Sequence, residues 1–367
     1  MKIEISRKVL ADALSELAPL AGKNKALMVL NNVKFVIKGN KIRLQTSDVE
    51  TTIRKYVEAD SIDQDGSFLV NCASLAAFVN KVKSDNLTLT LDANTLTVKH
   101  SKGKASFQIL PVDDFPEVSQ DDESTKVTLN VSDFARLVSV ARNFVSNDDF
   151  RITMKPIRAL VENGKFTVCA TDTRVLFTDS VELSNDAPAT AWYIEQSVFG
   201  MLVNACKSAE SVTVIVSPKN VTYRIGSTTF YTQSTCGNYP DFNRVIPKSH
   251  KIEVDCDKSE LIDTLSRSTL FVEESNLVRV AVSETEMAIS ADNVSKLQRM
   301  SEKVVCQSNA EVAFGANAKM LAECVKACAA NDVLIEIEDA SRPIVIKDAL
   351  NPNRVILCMP MQLVNPQ

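Results

Sequence analysis

A chain of 367 residues, 45% hydrophobic and 24% charged, has ample material for the buried cores of a soluble globular protein. Its net charge of −5 excludes a surface that is basic throughout, though not a single basic face. The opening M-K-I-E-I-S-R-K holds charges where an export signal needs an apolar run. No stretch nears the ~18 apolar residues of a membrane span, so a cytoplasmic protein without membrane insertion is expected.

The first helix is expected after Ser6, with Val9, Leu10, Ala13, Leu14 and Leu17 on one face. Alternating strands follow at 33–37 and 42–44, meeting at Gly39-Asn40, a hairpin signal. A second helix is expected from about Ser74, turning Leu75, Phe78, Val79 and Val82 inward. Strands 87–91 and 95–99 come next, with a turn at 92–94. The same order recurs with helices at 132–146 and 196–209, and again at 257–271 and 317–329.

Three markers hold the repeat in step. Strands ending in a small residue and Asp read I-R-L-Q-T-S-D at 42–48, F-T-V-C-A-T-D at 166–172 and M-A-I-S-A-D at 287–292, placing their Asp residues 124 and 120 apart. Phe78, Leu202 and Leu321 are separated by 124 and 119, and Phe115-Pro116 returns as Tyr239-Pro240 after 124. Units of this size are whole domains rather than solenoid turns, so domains are expected at 1–121, 122–247 and 248–367. Two helices and several antiparallel strands in each make an α+β fold, with both helices on one sheet face.

The chemistry of an enzyme is thinly supplied. There are two His residues, and neither G-x-G-x-x-G nor G-x-x-x-x-G-K occurs to cradle a phosphate. The nine cysteines sit singly, without C-x-x-C, as small hydrophobes of a reducing compartment. Asp48, Asp172 and Asp292 tempt a carboxylate or metal reading, but one per repeat fits local turn capping better. No catalytic centre, metal or cofactor is expected. Charge is unevenly spread: the six helical segments with their flanks sum to +6, leaving −11 elsewhere. Helices facing a polyanion and helices with solvated mixed faces both fit that count.

The motifs L-P-V-D-D-F-P (110–116), V-C-A-T-D-T-R-V-L (168–176), Y-P-D-F-N-R-V-I-P (239–247) and C-M-P-M-Q-L (358–363) follow in order, with further support from 261–293. On these the chain resembles, over its full length, the bacterial DNA polymerase III beta subunit family, the sliding clamps of replication. The resemblance implies a head-to-tail homodimer whose helices line a hole around double-stranded DNA, touching phosphates without reading sequence. It implies a groove for short peptides of DNA polymerase, clamp loader and repair proteins. The groove positions would be Met154, Thr171, Thr173, Arg174, Val175, Leu176, Pro240, Arg244 and Val245, with the run Leu357, Cys358, Met359, Pro360, Met361, Gln362 and Leu363. Lys23, Lys25, Lys81, Lys83, Arg142 and Lys207 would face DNA, and Phe107, Leu270 and Phe271 the partner subunit. Val175 and Gln362 stand where the family usually has basic residues, and 364–367 run past its usual end, near the groove mouth. A peptide-binding adaptor that does not encircle DNA is the alternative; for it, neutralising Lys23, Lys81 and Lys83 would change nothing.

Overall fold

The computed structural model describes residues 1–118, 124–183, 186–233 and 239–363. One element order is used three times: strand, helix, then strands, helix and three strands. The first repeat adds a two-residue strand, Ser61–Ile62.

Among the described residues five of the six helices follow a strand directly, and the junction residue usually supplies the cap. α1 (Arg7–Leu17) starts after Ser6 as expected, although the Ser6 side chain makes no capping bond. α2 (Cys72–Lys81) starts two residues earlier than expected because Asn71, not Ser74, caps it, accepting from the Ser74 N–H at 2.9 Å. α3 (Val131–Ala141) stops before the expected end at 146, leaving Phe144 and Val145 buried in the turn that follows. α4 (Phe199–Cys206) is preceded by a 3₁₀ turn, Gln196–Val198. α5 (Lys258–Ser268) and α6 (Ala318–Lys326) are capped by Asp257 and Asn317, accepting from the N–H of Glu260 (2.7 Å) and Met320 (3.1 Å).

The chain divides into two compact units, and the middle repeat contributes to both. Unit one holds Met1–Ala135 and Asn185–Thr235. Its antiparallel sheet runs from Thr125–Asn130 through Ser211–Val216, Asn220–Ile225 and Thr228–Gln233 into Thr51–Glu58, Lys41–Ser47, Asn32–Lys38 and Gly66–Asn71. It continues through Gly103–Leu110, Thr95–His100 and Asn86–Asp92 to Lys2–Ser6. Leu10, Leu14 and Leu17 of α1, with Leu75 and Val79 of α2, are fully buried, and Phe35 stacks on Phe68 at 4.8 Å. Phe115 of the L-P-V-D-D-F-P motif packs with Leu30 and Leu69.

Unit two holds Arg136–Ser184 and Cys236–Gln367. Within it the strand order is Ile157–Glu162, Lys165–Thr171, Val175–Glu182, Asn351–Cys358, Ile344–Asp348, Asp332–Ile337 and Ile252–Asp257. Gln298–Ser308, Glu286–Asn293, Leu277–Val282 and Val312–Asn317 complete it.

Two strand pairings join successive repeats. In unit one, Thr51–Glu58 pairs with Thr228–Gln233, setting Ile53 opposite Phe230. In unit two, Val175–Glu182 pairs with Asn351–Cys358, setting Phe177 opposite Ile356. The first joint carries Arg54, whose guanidinium lies 4.8 Å from the Tyr231 ring centroid and which, with Lys34, pairs to Glu117. The second buries a network. Arg354 (4% exposed) bonds Asp179 Oδ2 at 2.9 Å and Asp348 Oδ2 at 2.9 Å, both carboxylates fully enclosed. Arg136 and Asn351 reach Asp179 at 3.0 Å.

The Asp landmark is one residue out of step in the third repeat. Asp48 Oδ1 accepts from the Thr51 N–H (2.7 Å), and Asp172 Oδ1 from Arg174 and Val175 (2.8 Å each). Asn293 does this in repeat three, accepting from the Lys296 N–H at 2.9 Å, while Asp292 pairs with Arg299. Turn capping therefore holds for Asp48 and Asp172 and passes from Asp292 to its neighbour. His100 ends the strand Thr95–His100.

Candidate functional site

A cavity of about 190 Å³ opens in unit two. One wall is the Asp172 turn. The Thr171 hydroxyl donates to Val175 O (2.7 Å) and accepts from the Thr173 N–H (3.1 Å), while Thr173 takes a left-handed φ of 80°. Val49, at the same turn of repeat one, has a φ of 87°, so this strain belongs to the repeat and not to the cavity. The turn delivers Thr171, Thr173, Arg174, Val175 and Leu176 to the lining. The facing wall is Pro240, Asp241, Phe242 and Val245, shaped by the 3₁₀ turn Phe242–Arg244 that Asp241 caps. Met154, Pro343, Leu357 and Met359 complete it. Leu176 and Leu357 form a buried floor, while Val245 (52% exposed) and Met359 (41%) stand at the mouth. An apolar cleft rimmed by the Arg174 guanidinium, which has no ion-pair partner among the described residues, suits an extended peptide with apolar anchors.

The structure brings most of the expected groove residues together, but not all of them. Arg244 is turned to solvent on Asp241 at 3.0 Å. Cys358 is buried behind the wall, and Pro360, Met361, Gln362 and Leu363 do not line the cavity. Leu363 lines another cavity, of about 510 Å³, with Leu277 and Arg279. Residues 364–367 lie outside the described residues. Asp241 and Phe242 went unassigned although they sit inside the quoted Y-P-D-F-N-R-V-I-P motif. A second cavity of about 330 Å³ shares Arg174 and Val175 and adds Phe144, Asp148, Arg151 and Lys319. Arg151 donates to Asp172 O at 2.5 Å and to the Thr173 hydroxyl, tying the two cavities together. No local sequence signal marks Arg151.

All six expected DNA-facing cations are exposed, and none is ion-paired among the described residues. Lys23 Nζ donates to Ser197 O at 3.2 Å, between the loop after α1 and the turn before α4. Strand-borne Lys34, Arg54 and Lys55 are instead neutralised by Glu117 and Glu16. Phe107 is half-buried, its ring 5.7 Å edge-on from Phe78; Leu270 is 70% exposed and Phe271 half-buried.

Two strands inside the sheets are left half-paired among the described residues. Gly103–Leu110 pairs along its length with Thr95–His100, but meets Gly66–Asn71 only at Leu110 and Ile109. Gln298–Ser308 pairs on one side with Glu286–Asn293, and on the other only through Cys306, Gln307 and Ser308.

The cysteines are chemically quiet. All eight described are buried and free, and burial pushes the thiols of Cys72, Cys169, Cys256 and Cys328 up to about 12. No cluster of three or more metal-ligating side chains exists among the described residues.

Solved structures share this fold almost completely. The DNA polymerase III subunit beta of Pseudomonas aeruginosa superposes with a TM-score of 0.94 at 21% identity, covering 99% of this chain and 100% of that one. The same organism's sliding clamp bound to griselimycin gives 0.95, and the beta subunit of Thermotoga maritima 0.93 at 17% identity. The fold is thus that of the sliding clamps. Family models for the N-terminal and C-terminal domains of the DNA polymerase III beta subunit match residues 1–119 and 243–362, and the chain belongs to that family. The beta sliding clamps of Rickettsia felis and Escherichia coli are each 21% identical over 99% of this chain and their full length.

Proposed function

We propose that two copies close head to tail into a ring around duplex DNA, acting as a non-catalytic tether for polymerase and other partners. The two open strand edges carry this reading. Inside the chain, the fourth strand of one repeat pairs with the last strand of the next, twice. Among the described residues only the fourth strand of repeat three, Gln298–Ser308, and the last strand of repeat one, Gly103–Leu110, lack that pairing, and each is what the other lacks. A second copy supplies both.

The repeat also sets the register. Phe230 and Ile356 pair within their hairpins with Tyr223 and Ile346, as Ala105 does with Val98. Ile53 and Phe177 stand two residues past Thr51 and Val175, as Met300 does past Gln298. Ala105 should therefore lie opposite Met300 of the partner subunit. The Ala105→Cys, Met300→Cys double variant should give a covalently closed dimer under mild oxidation, and each single variant none.

The exposed cations at and beyond the helix ends, unpaired among the described residues, would attract phosphates weakly and without sequence preference, so retention comes from enclosure rather than affinity. The groove would take a short peptide with apolar anchors, Arg174 holding a carbonyl or carboxylate and the second cavity extending the site. Such a tether works in the cytoplasm and has no membrane role. The deciding experiment loads the protein on nicked circular duplex. It should stay bound in high salt and leave once the circle is cut. Loss from the intact circle would indicate ordinary charge-driven binding, and indifference to DNA would favour the adaptor.

A further inference from the structure

Gly315 lies in Val312–Asn317, the outermost strand of the unit-two sheet, opposite Arg279 on one side. Its other side takes the end of the chain: the Met361 N–H donates to Gly315 O at 2.8 Å in an isolated antiparallel bridge. A Cβ at 315 would lie 2.5 Å from Met361 O, 3.0 Å from Leu277 Cδ1 and 3.1 Å from Leu363 Cδ2. The nearest of these is a backbone atom, which cannot swing away. Unlike the turn glycines, Gly315 is needed for space and not for a left-handed φ.

Two residues earlier, the Met359 N–H donates to Arg174 O at 2.8 Å, on the groove rim. Pro360 between them has no N–H to offer. The groove-wall residue Met359 is therefore held by one backbone bond in front and one behind, and the rear bond exists only because position 315 has no side chain.

We propose that Gly315 is a positioning residue for the groove: it seats residues 361–363 on the outer strand and thereby fixes Met359 as a preformed wall. This rests on the groove reading above. A wall left to wander must be ordered again by each peptide, which lowers affinity without removing a contact.

The test uses a fluorescent hexapeptide selected against the wild-type protein from a random library, and accepted as a groove ligand only if Met359→Ala abolishes its binding. Gly315→Ala should weaken binding roughly fivefold, mainly through faster dissociation. Met361→Pro, which deletes the N–H donor, should do the same, and Gly315→Ala added to Met361→Pro should cost nothing further. Wild-type affinity in Gly315→Ala, or a full second loss in the double variant, overturns the proposal. Amide exchange gives a peptide-free readout: in Gly315→Ala the Met361 amide should exchange faster while Val280 is unchanged, and a Met361 amide as slow as wild type refutes the seat. Failure to find any peptide sensitive to Met359→Ala sinks the groove reading instead, with the exchange result still deciding the seat.

Discussion

Replacing Arg354 by Met tests how the second joint is held. The substitution roughly preserves volume but removes the guanidinium between Asp179 and Asp348, which are 0% and 2% exposed. Stripping one partner from a buried ion pair costs about 3–5 kcal/mol. The low end applies here, because Arg136 and Asn351 still reach Asp179, and Asp348 still accepts from the amides of Ala329, Ala330 and Leu350. Amide exchange in Val175–Glu182 and Asn351–Cys358 reads the cost directly. About 3 kcal/mol corresponds to roughly a hundredfold faster exchange where opening is rate-limiting in population. Arg354→Lys should recover little, since an ammonium cannot serve two carboxylates in a plane. An acceleration below about threefold would refute the reasoning, showing that the remaining partners suffice.

Other expectations follow the same lines. Met359→Ala should abolish or strongly weaken peptide binding by fluorescence anisotropy, whereas Met361→Ala, whose backbone bond survives, should leave it nearly unchanged; equal losses would return Met361 to the groove. Lys81→Gln with Lys83→Gln should flatten the log–log salt dependence of binding to linear duplex by about 1.8 if both meet phosphates, and leave it unaltered if both are merely solvated. The Lys34 ammonium, hydrogen-bonded to Glu117 and aided by Arg54, holds that carboxyl below its usual range. Its contribution to unit one is thus complete above the ordinary value of 4.5 and drains away as pH falls through the depressed one. The stability of unit one, followed by amide exchange in Asn32–Lys38 and Thr51–Glu58 corrected for the intrinsic pH dependence of exchange, should fall less between about pH 6 and about pH 3.5 in Glu117→Gln than in wild type, and parallel losses would count against that pair.

Much of the architecture was legible because the repeat writes it three times. Helical periodicity around Leu10, Leu14 and Leu17 and the Gly39-Asn40 hairpin carry over directly into α1 and its following strands. Cap chemistry misled at the margins, where Asn71 rather than Ser74 set the start of α2. Repeat three departs at Asp292 because Asn293, one residue later, does the same capping work. The peptide cleft was legible only through motifs, and its C-terminal wall was read as one continuous stretch. Pro360 divides it, sending Leu357 and Met359 one way and Met361 and Leu363 the other. The Asp179–Arg354–Asp348 network left no trace, since its members are scattered along the chain and each looks like an ordinary surface charge. Gly315 was equally silent, because the backbone that crowds it arrives some 46 residues later.

The strand pairings inside the chain and the proposed one between copies use matching positions but unlike fastenings. Arg354 is riveted between two enclosed carboxylates, and Lys34 and Arg54 flank Glu117. Along the bare stretch of Gln298–Ser308, by contrast, Arg299 is spent on Asp292 of the neighbouring strand and Glu302 on Arg267 of α5, both within unit two. Little beyond main-chain bonds and apolar contact is left there to grip a second molecule. A hoop made this way has a built-in parting line, and whatever prises it open for threading would spring the seam long before it tore a link.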